Sequence, residues 1–339
     1  MRYKLLGKSG LRVSELALGT MTFGEDWGWG ASKEEGRRIF DAYAEAGGNF
    51  IDTSVNYTNG TSETFLGDFL QADRDHFVVA TKYTLSRRWD DPNAGGNSRK
   101  NMMASIHASL KRLKTDYIDL YWLHMWDYMT PLEEVLRGLD DLVRSGKVHY
   151  VGVSDTPAWV VSRADMLAEW RGWAPFVALQ IPYSLVERDA ERSLLPMART
   201  LGLAVTPWGI LGGGVLTGKY SDDSQAPKRY GEMELRDRTR QVAETIRAVA
   251  AEVGRSPAQV AANWVRQQQA QALMIPIIGA RTEAQLKDNL AILDWSLSAE
   301  QLQRLDEVSR IDLGFPHGFL DGNEYVFGNT FDLIDNHRR

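Results

Sequence analysis

A chain of 339 residues with 43% hydrophobic and 25% charged side chains can bury a sizeable core and has the balance of a globular enzyme. Its 39 basic and 45 acidic residues leave a formal charge of -6, which argues against nucleic acid as a partner. With no cysteine there are no disulfides, thiolate nucleophiles or Cys-based zinc sites.

The opening Met1-Arg2-Tyr3-Lys4-Leu5-Leu6-Gly7 lacks the apolar core of a signal peptide, and no apolar run could span a bilayer. The expectation is a cytoplasmic protein with no membrane partner. The first predicted element is a hairpin, residues 3–6 and 11–13, turning at Gly7-Lys8-Ser9-Gly10. Short apolar runs then recur at 16–20, 50–54, 77–82, 117–124, 148–155, 176–182, 203–209 and 273–279. Longer amphipathic stretches separate them. Ser32-Lys33-Glu34-Glu35, Thr130-Pro131-Leu132-Glu133 and Thr282-Glu283-Ala284-Gln285 read as capping boxes. Thr156-Pro157 and Ser256-Pro257 place a capping hydroxyl before a proline, and Gly47-Gly48 and Ser145-Gly146 end helices. Eight buried strands, each followed by helix, predict a closed (β/α)8 TIM barrel with an N-terminal hairpin, one α/β domain over 1–339. An open doubly wound sheet would carry a glycine fingerprint directly after its first strand. Here Gly19-Thr20-Met21-Thr22-Phe23-Gly24 runs into a loop instead. Residues 83–97, 210–235 and the tail after Ile311 break the rhythm and are expected to be long active-site loops.

In such a barrel the chemistry gathers at the C-terminal ends of the strands. The runs end in Asp52, Lys82 and His124, a carboxylate, an amine and an imidazole from successive strands, and Tyr57 lies a few residues past Asp52. Carbonyl reduction needs a hydride at carbon and a proton at oxygen. A phenol holds its proton at neutral pH, and an ammonium beside it makes it a better acid. Asp52 would hold that ammonium, and His124 would donate a hydrogen bond to the carbonyl oxygen. The six histidines are scattered without a His-Glu-x-x-His, so no metal is expected. Gly213-Gly214-Val215-Leu216-Thr217-Gly218-Lys219-Tyr220 differs from a P-loop at one position. Tyr220 cannot supply the hydroxyl that holds magnesium, and a loop follows where a helix should open.

These residues carry a resemblance to the aldo-keto reductase superfamily over nearly the whole chain. The supporting stretches are Gly48-Asn49-Phe50-Ile51-Asp52-Thr53-Ser54-Val55-Asn56-Tyr57, Ser62-Glu63-Thr64-Phe65-Leu66-Gly67, Ala80-Thr81-Lys82, Leu123-His124 and Gly279-Ala280-Arg281-Thr282-Glu283-Ala284-Gln285-Leu286. Ser154-Asp155-Thr156-Pro157-Ala158-Trp159 and Gly212-Gly213-Gly214-Val215-Leu216-Thr217-Gly218-Lys219 are similar to its aryl-alcohol-dehydrogenase-like branch. The resemblance implies NADP(H) as cofactor, a small carbonyl or alcohol substrate, and Tyr57 as proton donor in a catalytic group with Asp52, Lys82 and His124. It also implies cofactor contacts from Thr20, Met21, Asp52, Ser154, Asp155, Gln180, Trp208, Gly209, Leu211, Gly213, Lys219, Arg229, Arg281, Gln285 and Asn289. Asp155 stands where most of the superfamily has Asn, and Gly209-Ile210 where Ser-Pro is common. Tyr183 is expected to stack beneath the nicotinamide, a place the family often gives to the residue that is Trp208 here. Arg281, at a helix start, suits the extra phosphate of NADP(H). Trp27, Trp29 and Trp126, with Trp89, Tyr128 and the tail aromatics Phe315, Phe319, Tyr325 and Phe327, predict a pocket for aromatic or bulky carbonyl compounds. A nicotinamide-binding regulatory subunit on the same fold, like the potassium channel β subunits, stays open as an alternative, as do an unrelated barrel hydrolase or isomerase and the oligomeric state.

Overall fold

The computed structural model describes residues 1–218, 236–320 and 322–335. Strands β1 (Tyr3–Leu5) and β2 (Arg12–Ser14) pair antiparallel as the predicted hairpin. Then come β3 (Ala17–Gly19), β4 (Phe50–Asp52), β5 (Val78–Tyr83), β6 (Ile118–Leu123), β7 (Val148–Ser154), β8 (Phe176–Pro182), β9 (Ala204–Trp208), β10 (Leu273–Met274) and β11 (Ile277–Gly279). These pair in parallel in the order β10-β9-β8-β7-β6-β5-β4-β3-β11. The eighth apolar run is therefore divided. Pro276 has no N–H to continue the ladder and interrupts it; β10 lies against β9 and β11 against β3, as the closing strand of a barrel must. Two bonds bridge the break: Ile275 N–H donates to Val205 O at 2.8 Å and Ala17 N–H to Pro276 O at 2.9 Å. One segment thus touches both edges of the sheet and closes it into a barrel.

Helices α1 (Lys33–Glu45), α2 (Thr61–Phe69), α3 (Arg99–Leu113), α4 (Leu132–Arg144), α5 (Ala158–Arg171), α6 (Leu194–Leu201), α7 (Asp237–Val253), α8 (Pro257–Gln267), α9 (Glu283–Leu290) and α10 (Ala299–Ser309) cover the outside. None of the described helices is long and apolar enough to cross a membrane. Gly47 and Gly146 follow the ends of α1 and α4 with φ of 83° and 74°, a left-handed turn that favours glycine. The starts differ in part from expectation. Ser32, Ser256 and Thr282 cap as predicted, each accepting a bond from the N–H three residues on. The first and last are not closed boxes, because Glu35 reaches Glu283 N–H and Gln285 reaches Arg281 N–H instead. Thr130 and Thr156 do not cap at all. The helices begin one residue later than expected, with Pro131 and Pro157 at the cap positions, and the two hydroxyls donate to Asp127 Oδ2 and Ser154 O, both at 2.7 Å. A reciprocal box, Ser298 with Gln301, opens α10.

Strand alternation divides the core in two. Val79, Tyr83, Tyr121, Val153 and Leu179 point outward into the layer under the helices. Phe50, Val78, Ala80, Leu120, Trp122, Ala178 and Ala204 point inward and fill the barrel. The hairpin plugs the N-terminal end, adding Leu6 and Val13 to that inner cluster. Its turn is tightly seated: a Cβ on Gly7 (φ +57°) would lie 2.1 Å from Val177 O. The same period of two decides what stands at the other end. Following the inward series along each strand, Phe50 leads to Asp52, Val78 and Ala80 to Lys82, and Leu120 and Trp122 to His124. Gly152 leads to Ser154, Ala178 to Gln180, and Ala204 through Thr206 to Trp208. Apolar residues close the bottom, and a ring of polar side chains crowns the top.

Candidate active site

Lys82 is the centre of that crown. It is 0% exposed, and its ammonium donates to Asp52 Oδ2 at 2.5 Å, Thr53 O at 2.7 Å and the Tyr57 hydroxyl oxygen at 3.1 Å. All three of its donors are used. Burial works against the charge, but Asp52 and Tyr57 outweigh it and lift the Lys82 pKa above the ordinary lysine value. Burial also raises the Tyr57 phenol above the ordinary tyrosine value, with the Lys82 charge pulling the other way. Asp52 is held from its second oxygen by Gln180, whose Nε2 donates to Oδ1 at 3.0 Å. Sequence reading placed Gln180 on the cofactor and missed this bond to Asp52. The inward alternation of β4 and β8 was the available signal.

His124 faces the same centre. Its ring lies edge-on to Tyr57 with centroids 6.2 Å apart, and its Nδ1 is 3.3 Å from Ser54 Oγ. Burial and the neighbouring Lys82 charge hold its pKa well below the ordinary histidine value, so the imidazole is neutral at neutral pH. Asp155, in the left-handed conformation at φ 38°, contacts the Trp208 indole N–H, and burial pushes its carboxyl up to about 6. Ser154, 1% exposed, has a hydroxyl without any hydrogen-bond partner among the described residues. Beyond β9 the chain turns through Gly209, Gly212, Gly213 and Gly214, all with positive φ (66°, 56°, 68° and 101°). This is a conformation in which successive backbone N–H groups can converge on an anion.

The remaining candidates divide. Thr20 is buried behind the site, its hydroxyl committed to Asp52 O at 3.0 Å and to Ser62, while Met21 beside it is half-buried. Arg281 is exposed at the start of α9, Gln285 accepts from Arg281 N–H at 2.9 Å, and Asn289 donates to Gly279 O at 3.1 Å. Leu211 packs on the core beside the glycine turn. Lys219 and Arg229 lie outside the described residues. Trp27 and Trp29 are half-buried with ring centroids 5.9 Å apart. Trp126 is half-buried, and its N–H donates to Asp155 O at 3.4 Å. Tyr183 needs correcting. It is fully buried, its hydroxyl donates to Glu191 at 2.6 Å and its ring packs on Trp264, so it cannot lie under a nicotinamide. Trp208, 41% exposed, is the aromatic at the end of the next strand, β9. The tail aromatics Phe315, Phe319, Tyr325 and Phe327 are exposed. Trp89 and Tyr128 are exposed as well.

A support for Tyr57 comes from the motif 62–67. Glu63 on α2 is fully buried, accepting from Thr81 Oγ1 at 2.7 Å and pairing with Arg112 of α3 at 3.2 Å. The same guanidinium donates to Val55 O at 2.7 Å, and a Cβ on Gly60 would lie 2.3 Å from its Cζ. Arg112 therefore grips the segment carrying Tyr57 at both ends. That segment includes Thr58 and Asn59 at φ 44° and 57°, a conformation that persists only where its surroundings impose it. Among the described residues no group of three or more His, Cys, Asp or Glu side chains is arranged to hold a metal.

Residues 15–310 match the model of the Aldo/keto reductase family. The chain is 40% identical to an aryl-alcohol dehydrogenase [NADP(+)] of Phanerodontia chrysosporium, over 93% of this chain and 88% of that protein. It is 37% identical to norsolorinic acid reductase of Aspergillus flavus, over 93% and 83%. It is 38% identical to norsolorinic acid reductase B of Dothistroma septosporum, over 95% and 85%. A barrel crowned by these side chains and matched along nearly its whole length places the chain in the Aldo/keto reductase family.

Proposed function

We propose that the protein is an NADP(H)-dependent oxidoreductase that reversibly reduces aldehydes and ketones to alcohols, favouring aromatic or otherwise bulky carbonyl compounds. The observation that carries this reading is the fully buried Lys82 ammonium, bonded at once to Asp52 and to the Tyr57 hydroxyl at the barrel mouth. Tyr57 is the proton donor to the carbonyl oxygen. Lys82 lowers the cost of leaving phenolate behind, Asp52 and Gln180 hold Lys82 in register, and His124 orients the carbonyl.

The residues present fit a dinucleotide. The Ser154 hydroxyl, unpartnered among the described residues, offers a donor and acceptor to an amide at the mouth. In the glycine turn the Gly212 and Gly214 N–H groups are bonded to Gly209 O and Leu211 O, so the N–H groups offered to a pyrophosphate are those of Gly209, Leu211 and Gly213. Ser154, Asp155 and Gln180 would hold the nicotinamide end, Met21 its edge, and Trp208 its face. Gly209, Leu211, Gly213 and Lys219 would hold the pyrophosphate. Arg281, with Gln285, Asn289 and Arg229, would hold the adenosine phosphate. When bound, the nicotinamide supplies the hydride.

Two measurements test the proposal. In the first, dissociation constants for NADPH and NADH are compared in wild type and Arg281→Ala. NADPH is expected to bind more tightly than NADH, with Arg281→Ala narrowing the difference by about one to two decades, the worth of a charge-assisted phosphate contact. An unchanged ratio moves phosphate recognition away from Arg281. In the second, kcat/KM with NADPH is measured for benzaldehyde-type substrates against glyceraldehyde and aldoses. The aromatic aldehydes are expected to be better, with Trp29→Ala and Trp126→Ala reducing that advantage. Preference for the small polar compounds would refute the aromatic pocket, and no turnover of any carbonyl would refute the reductase.

A further inference from the structure

We propose that Ser54 and Asn56 together set which ring nitrogen of His124 carries its proton, with the working setting the one in which the Asn56 amide nitrogen faces Ser54. The inference rests on the role of His124 proposed above, as hydrogen-bond donor to the carbonyl oxygen. A neutral imidazole has one N–H, so it can donate from Nε2 only if Nδ1 is an acceptor. What decides this is the partner of Nδ1, and that partner is Ser54 Oγ, 3.3 Å away. No other hydrogen bond to the ring is made by the described residues.

Ser54 does not decide alone. Its hydroxyl lies 2.7 Å from the side-chain amide of Asn56, two residues on. A turn holds the two together, with Tyr57 N–H donating to Ser54 O at 3.1 Å and Asn59 N–H to Asn56 O at 3.1 Å. The hydroxyl has one hydrogen to give. With Asn56 Oδ1 facing it, as the structure has it, Ser54 donates to Asn56 and must accept from His124 Nδ1–H, leaving a lone pair on Nε2. With the amide turned over, Asn56 Nδ2 donates to Ser54 and the hydroxyl donates to Nδ1. The proton then sits on Nε2, where a carbonyl oxygen can accept it. Asn56 makes no other side-chain bond among the described residues and is half-buried, so solvent can satisfy the outer amide atom in both settings. A half-turn of one amide therefore exchanges donor for acceptor at the mouth, at little cost in bonds. Ser54 and Asn56 are positioning residues: they act on the reaction through His124.

Asn56→Asp provides the test, because an ionised carboxylate has nearly the shape of the amide but can only accept. It locks the chain in the setting with the proton on Nδ1. The probe is the complex of NADP+ with benzaldehyde, which cannot turn over, in protein labelled with 15N-histidine. The His124 resonances are assigned by their loss in His124→Phe. The expected result is an Nε2–H tautomer in wild type and an Nδ1–H tautomer in Asn56→Asp. In steady state, kcat for benzaldehyde reduction at pH 7 should fall roughly a hundredfold below that of Asn56→Ala, the usual cost of losing one donor to a developing oxyanion. NADPH affinity should be unchanged in both. Ser54→Ala, which removes the link itself, should give mixed tautomers and an intermediate rate. The same tautomer in wild type and Asn56→Asp, or equal kcat in Asn56→Asp and Asn56→Ala, would overturn the proposal. Tyr57→Phe is assayed alongside. Full turnover there refutes the proposed acid, whereas the tautomer spectra judge Ser54 and Asn56 independently of it.

Discussion

Tyr57→Phe is expected to reduce carbonyl turnover by about two orders of magnitude or more, the usual contribution of a positioned general acid. The substitution deletes one oxygen, and that oxygen's single hydrogen bond among the described residues is the one from Lys82. The barrel should therefore fold, melting somewhat lower because one donor of the buried Lys82 ammonium loses its acceptor, and NADPH should bind with nearly unchanged affinity. The loss should fall on kcat rather than on binding. Burial raises the Tyr57 pKa above the ordinary tyrosine value, so reduction should keep its proton donor across the whole neutral range. A variant with near-normal turnover would remove Tyr57 from the chemistry.

Lys82→Met is expected to be as damaging to turnover and, more than Tyr57→Phe, to the fold. Methionine fills a similar volume but leaves Asp52 a buried carboxylate with only Gln180 to satisfy it. Removing one partner of a buried ion pair costs about 3–5 kcal/mol, measurable by urea unfolding. Without the ammonium the Tyr57 phenol also loses the charge that draws its pKa down, so it becomes a poorer acid. The pH dependence of stability follows from the same groups. The Lys82 pKa is raised in the folded state, so its stabilisation is present at neutral pH and is lost as pH rises through that folded value. His124 is depressed, so below the ordinary histidine pKa the unfolded chain binds a proton that the folded chain does not. Its contribution therefore falls as pH drops through about 6.5. Unchanged urea stability in Lys82→Met would contradict the central place given to this ion pair.

Strand positions were legible in the sequence because each barrel strand is buried on both faces and so reads as an unbroken apolar run. The strand ends were legible too: Asp52, Lys82 and His124 stand out as polar residues closing apolar segments. Tyr183 ends an apolar run just as His124 does, yet it packs against Trp264 and bonds Glu191 in the layer under the helices. Alternation along β8 carried the signal: Gln180 faces inward, so Tyr183, three residues on, faces outward with Leu179 and Ile181. Thr130 and Thr156 had the right residue type for helix caps, but the helices begin one residue later, with Pro131 and Pro157 at the cap positions. The break of the eighth strand at Pro276 was visible as a proline. That the two halves would bond to opposite edges of the sheet was not.

By itself the sequence determined the class of fold and the residue types available at the mouth, since both depend on short-range patterns of apolar and polar residues. Only the tertiary structure decided which of those residues meet. Lys82 contacts a carboxylate 30 positions away, Asp52 contacts an amide 128 positions away, and Arg112 grips a carbonyl 57 positions away. Closing the sheet brings the ends of strands remote in the chain within hydrogen-bond distance, and burial there strengthens each polar contact and makes each missing one costly.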